Sequence, residues 1–201
     1  MKLYYTPGAC SQSPHIVLRE VGAEFTLEKV DLKNKTTEHG EDFLQVNPKG
    51  YVPALELEPG TVLTEGPAIV LYLANKYPAA KLAPPAGSLE RYQLQSWLAF
   101  INSEVHKAFG PLFNPVMPDE AKAISKQQIG KRFDYLQKHL SKQDCIMPSG
   151  FSVADAYLFV ISGWSNNMGI DLQQWPAMAA YRQRIGERPA VKAALAAEGF
   201  A

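Results

Sequence analysis

The spacing of hydrophobic positions divides this chain in two. Over the first eighty residues, short apolar runs alternate with helical stretches. Lys2-Leu3-Tyr4-Tyr5 reads as a strand and Pro7-Gly8 as a turn. Ile16, Val17, Leu18 and Val21 fall at helical spacing within residues 11–21, and Gly22 closes that helix. Residues 25–30 (FTLEKV) alternate at period two, as a half-buried strand does, and residues 52–57 (VPALEL) read as a third strand. Glu58-Pro59-Gly60 turns the chain into a fourth at 61–64, and residues 67–77 form a helix with Pro67 in its first turn. A short helix is expected around 41–46. The order is βαβαββα. A helical connection between the first two strands favours parallel pairing, and a tight turn between the last two favours an antiparallel hairpin.

Beyond the Pro/Ala/Gly stretch PAAKLAPPAGS (78–88) every periodic segment is helical: 89–109, 119–140, 152–164, 176–187 and 190–197. Ser152-Val153-Ala154-Asp155 has the form of an N-terminal capping box. The residues after it are apolar on nearly every side, which marks that helix as a core element. The expected organisation is an α/β domain over 1–80, a linker at 81–88 and an all-helical domain over 89–201.

Composition narrows the function. The chain has 201 residues, 46% hydrophobic, with 20 Lys plus Arg against 20 Asp plus Glu. Zero net charge and no basic block count against nucleic acid or an anionic membrane as partner. The N-terminus lacks the apolar core of a secretory signal, and Tyr157–Ile161 is too short to span a bilayer. Two distant cysteines, Cys10 and Cys145, make no disulfide framework, so a reduced, cytoplasmic setting is expected. No metal is expected.

Three short stretches carry chemistry. Cys10 in YYTPGACSQSP lies between a strand and a helix start, among backbone N–H groups and the positive end of the helix dipole. That setting favours a thiolate; the plain alternative is a small buried hydrophobe. The redox motif Cys-x-x-Cys is absent, because the fourth position is Ser13. Pro53, near the start of a strand, is a candidate for a cis peptide or an edge strand. In TEGPAI, Glu65 and Gly66 stand at a helix N-terminus, where N–H groups hold a carboxylate and Glu65 an ammonium; simple capping is the alternative. Together the three suit a small peptide with a free α-amino acid end and a central thiol.

The stretches KLYYTPGACSQSPHI, VNPKGYVPAL, LTEGPAIVLYLA, EVHKAF and FSVADAYLF resemble, in order and spacing over the whole chain, the bacterial glutathione transferases of the β class. The resemblance implies a thioredoxin-like N-terminal domain, an all-helical C-terminal domain, a homodimer and glutathione as co-substrate. It places Cys10 beside the glutathione sulfur, Lys35 at the glycyl carboxylate, and Val52, next to Pro53, on the cysteinyl unit. Glu65 and Gly66 meet the γ-glutamyl end. His106 reaches the site from the helical domain, and Ser103 and Glu104 contribute around glutathione, in part across the dimer. Tyr5, Lys107 and Trp164 are candidates for the electrophile pocket. On residues alone, His106 reads as a hydrogen-bonded core histidine, Lys35 and Lys107 as solvated, and Trp164 as core. One departure is Ala99, where relatives often carry Asn; the lost contact is worth on the order of 1 kcal/mol.

The implied activity is conjugation of glutathione to electrophilic small molecules, with thiol transfer through Cys10. A monothiol needs a second glutathione as resolver, since Ser13 cannot act as one. Two alternatives share the architecture: a glutathione-dependent dehalogenase of aromatic catabolism, and a non-catalytic interaction module.

Overall fold

The computed structural model describes residues 1–200. Two compact units form: Met1–Ala83 together with the segment from Glu187 onward, and Pro84–Gly186.

In the first unit, β1 (Lys2–Tyr5) leads through α1 (Gln12–Glu20) to β2 (Thr26–Asp31). A two-residue strand β3 (Thr36–Thr37), the hairpin β4 (Ala54–Glu58) and β5 (Thr61–Thr64), and α2 (Gly66–Lys76) follow. The sheet order is β3-β2-β1-β4-β5. β1 and β2 are parallel and the other neighbours antiparallel, as their connections demand. Leu3 pairs with Leu27 on one side and Leu55 on the other and is fully buried. Tyr4 joins a cluster with Val30, Phe43, Val52 and Ala54. A central strand buried on both faces reads as a continuous apolar run, which is why β1 does not alternate.

The thioredoxin-like plus all-helical architecture matches the expectation, with four differences, of which the added two-residue strand β3 is the first. The short helix at 41–46 is a single 3₁₀ turn, Phe43–Gln45, held by Asp42, whose side chain accepts the Leu44 N–H at 2.9 Å. The segment read as one helix over 89–109 is α3 (Leu89–Phe100), a π-helical turn (Ile101–His106) and α4 (Lys107–Phe113). The helical unit ends at Gly186, not 201: α8 (Pro189–Ala197) packs on α1 of the α/β unit. Arg188 grips Glu20 through Nε and Nη2 at 2.6 and 2.9 Å. The Glu198 carboxylate, fully buried, takes the Gly8 N–H at 3.0 Å, the Gln12 side-chain amide at 3.0 Å and the His15 Nδ1 at 2.7 Å. An apolar stripe on a short helix states that it needs a partner, not which one, so the sequence alone could not place α8.

The helical unit is completed by α5 (Asp119–Leu140), α6 (Val153–Gly163) and α7 (Pro176–Gly186). α6 is buried from Val153 to Ser162, as its all-round apolar pattern requires. Its N-terminus is fixed by Asp155, whose carboxylate accepts the Ser152 N–H and hydroxyl at 2.8 Å each, the Ile146 N–H at 2.7 Å and the Tyr181 hydroxyl at 3.1 Å. Among the described residues no helix is long and apolar enough to cross a membrane.

Candidate functional site

In the α/β unit, Cys10 lies in the loop from β1 to α1. That loop is tied internally: the Ser11 hydroxyl accepts the Thr6 N–H at 3.2 Å, and the Cys10 carbonyl accepts the Ser13 N–H at 3.1 Å. Gly8 adopts φ +71°, and a Cβ there would come within 2.8 Å of the Phe200 ring, so only glycine fits. The Cys10 thiol is half-buried and donates to the Val52 carbonyl at 3.4 Å. The Val52–Pro53 peptide is cis. Ser13, where a second redox cysteine would stand, is fully buried, and its hydroxyl has no hydrogen-bond partner among the described residues.

The loop at residues 47–51 joins the other expected groups. It is closed by the Gly50 N–H on the Asn47 carbonyl at 2.8 Å and by the Asn47 side chain on the Tyr51 carbonyl at 2.7 Å. Lys35, with φ +59°, sends its ammonium to the Gly50 carbonyl at 2.6 Å. Glu65, with φ +69°, precedes the first residue of α2. Its carboxylate accepts the Tyr51 hydroxyl at 2.9 Å and the Lys49 ammonium at 2.5 Å. The Glu65 contact raises both the Lys49 and Tyr51 pKa values. A Cβ added to Gly66 would meet Pro53 at 3.9 Å, so these two expected residues also lie together. Cys10, Lys35, Val52, Pro53, Glu65 and Gly66 thus converge around one loop. Tyr5 does not line an open surface: it is buried, its ring 6.3 Å from that of His15. Burial raises its phenol pKa, with Glu38 and Glu198 adding to the shift.

In the helical unit, Ser103, Glu104 and His106 share the π turn, and Lys107 begins α4. π turns recur at functional sites. The Tyr157 hydroxyl donates to Asn102 Oδ1 at 2.8 Å, so its oxygen accepts from His106 Nδ1 at 2.7 Å. This network assigns the imidazole proton to Nδ1 and leaves the lone pair on Nε2. Burial, with the Lys107 charge, pushes the His106 pKa down to about 4. The ring is therefore neutral near pH 7, an acceptor at Nε2 and not a cation. Trp164 stands edge-on to it at 4.9 Å and to Phe113 at 5.0 Å, an aromatic wall of which Phe113 is half exposed. Glu104 is exposed and held by Arg132 through Nε and Nη2 at 3.0 and 2.6 Å. The Ser103 hydroxyl turns back to the Ala99 carbonyl at 2.9 Å. Asn102 is engaged with Tyr157 and does not replace an Asn at position 99.

Lys49, Tyr51, Arg132, Phe113 and Tyr157 were not among the expected site residues, yet each lies against one that was. A signal existed for the first two, which flank Gly50 immediately before Val52-Pro53. None existed for Tyr157, which looks like one more apolar residue of a core helix.

Two family models match the chain: the glutathione S-transferase N-terminal domain over residues 8–76 and the glutathione S-transferase C-terminal domain over 100–189. The chain is 47% identical to the glutathione S-transferase GstA of Escherichia coli O157:H7, with the whole of both chains covered. It resembles a solved sphingomonad glutathione S-transferase complexed with glutathione at TM-score 0.97 and 54% identity, covering 100% of each chain. It also resembles the bacterial beta class glutathione S-transferase of Sphingomonas chungbukensis at TM-score 0.97 and 52% identity, again covering 100% of each.

Proposed function

This chain belongs to the glutathione S-transferase family, in its bacterial β class, and on that premise we propose that it conjugates glutathione to electrophilic small molecules and exchanges thiols through Cys10. The observation that carries the second activity is the Cys10 thiol ahead of α1, 3.4 Å from the Val52 carbonyl, with Ser13 where a resolving cysteine would be.

In thiol transfer, the Cys10 thiolate attacks the glutathionyl sulfur of a mixed disulfide. A bond forms between Cys10 Sγ and that sulfur, and the other thiolate leaves. A second glutathione thiolate then attacks this new disulfide, releasing oxidised glutathione and restoring the Cys10 thiolate. In conjugation, the glutathione thiolate attacks an electrophilic carbon and expels its leaving group or adds across a polarised double bond. His106, with its pKa pushed down to about 4, is too weak a base to take the thiol proton, which passes to solvent; its neutral ring offers Nε2 as a hydrogen-bond acceptor that orients the glutathione thiol. Trp164 and Phe113 offer an apolar aromatic surface to the electrophile. Lys35, Val52, Glu65, Gly66, Ser103 and Glu104 are the proposed contacts to the peptide. The protein is proposed to act as a homodimer in the cytoplasm, and exposed Leu89 and Tyr92 on α3 supply apolar surface for pairing.

The test compares wild type with Cys10→Ala on two probes, a chloro-nitroaromatic and a mixed disulfide of glutathione. Turnover of the disulfide is expected to vanish in the variant, while conjugation persists at a reduced rate. Disulfide turnover surviving the replacement would overturn the Cys10 mechanism.

A further inference from the structure

The amino-acid end of a peptide linked through its side chain is a zwitterion, an ammonium and a carboxylate on one carbon. A receptor for it needs an anion and a cation side by side. Glu65 and Lys49 form that pair. Their charged atoms lie 2.5 Å apart, each side chain is about half exposed, and Lys49 also reaches the Thr64 hydroxyl at 3.1 Å. The pair stands directly before α2, an eleven-residue helix whose first N–H groups have no intrahelical acceptor. Glu65 is held there with φ +69°, a conformation that costs free energy outside glycine and persists where the surroundings enforce it. The Tyr51 hydroxyl, on the same Glu65 oxygen, fixes the carboxylate from the loop side. Lys35, the neighbouring cation, is turned to the Gly50 carbonyl.

We propose that Lys49 joins the first N–H groups of α2 in binding the α-carboxylate of the γ-glutamyl end, while Glu65 takes the ammonium as the family resemblance implies, so that the ligand inserts into an existing ion pair and exchanges partners with it. The proposal rests on the glutathione reading and adds a residue to it. An ion pair this exposed is held weakly, so a ligand that supplies both opposite charges opens it at little cost. Without ligand, Lys49 neutralises Glu65 and occupies the place of the incoming ammonium. With ligand, each side chain keeps an opposite charge and two pairs replace one. Tyr51 is a positioning residue, which keeps Glu65 in place when Lys49 moves off it.

Calorimetric titration of the whole protein with three probes tests this. The probes are glutathione, glutaryl-cysteinyl-glycine (no α-ammonium) and 4-aminobutanoyl-cysteinyl-glycine (no α-carboxylate). In wild type, loss of the carboxylate should weaken binding about tenfold. Lys49→Met should weaken glutathione by a similar factor but bind the carboxylate-free probe at least as tightly as wild type does, since no lysine then competes for Glu65. Lys49→Arg should restore most of the glutathione affinity. Wild-type affinity of Lys49→Met for glutathione would overturn the proposal, as would equal weakening of all three probes, the mark of a merely structural role. Failure of wild type to bind glutathione at all would overturn the glutathione reading, and this proposal with it.

Discussion

His106 keeps its proton on Nδ1, where Tyr157 accepts it, and burial in the fold favours the neutral ring. Its pKa falls from an ordinary 6.5 to about 4 on folding, chiefly through burial. Unfolded chains therefore bind more protons than folded ones between those two values. The stability owed to the neutral ring is complete above pH 6.5 and is lost as pH falls toward about 4. The fall from 6.5 to about 4 corresponds to roughly 3 kcal/mol as an upper bound. Urea unfolding of His106→Gln, whose amide can still meet Tyr157, should lose less stability than wild type across that window. Equal loss in both would show that His106 does not titrate with folding. At the same scale, the exposed pair of Lys49 and Glu65 contributes little to stability, and its value lies in the charges it presents.

Elements convert such residues into positions. Asp155 secures the start of α6 through donors from Ser152, Ile146 and Tyr181, all inside the core. Asp155→Ala leaves those donors buried without an acceptor and should cost about 3 kcal/mol, read as a shift in the urea midpoint at unchanged slope. The capping box was legible because its four residues are contiguous and carry their own spacing. β1, β2, β4 and β5 were legible for the same reason: each is a local run bounded by turn residues. The π turn was not, since six residues of apolar spacing cannot separate it from a continuing α-helix. β3 was invisible because two threonines carry no period. Lys49 and Tyr51 flank Gly50 next to Val52-Pro53, which marks the stretch but not the direction of its side chains; only the folded loop shows that both point to Glu65.

At the scale of the whole chain, two units of different architecture each hold part of the proposed machinery. The α/β unit supplies a thiol, a cis-proline loop and a charge pair suited to a zwitterion. The helical unit supplies a neutral imidazole backed by Tyr157 and an aromatic wall. Cys10 and Glu65 could be singled out as candidates from their own stretches, whereas His106, which reads as a core histidine on residues alone, was raised only by the family resemblance. The grouping of Cys10, Lys35 and Glu65 around residues 47–52 required the fold, since those positions span 55 residues from Cys10 to Glu65 and meet only when β4 pairs with β1. The placement of α8 on α1 required it too, because only the folded chain brings Glu198 to Gly8 and His15.

The proposed thiol transfer turns on Cys10 as the sulfur through which this protein exchanges glutathione. Its most direct test is intact-mass measurement with peptide mapping after exposure to a mixed disulfide of glutathione. One glutathionyl group per chain is expected, located on Cys10 and removed by added glutathione. An adduct on Cys145, or none on Cys10, would contradict it.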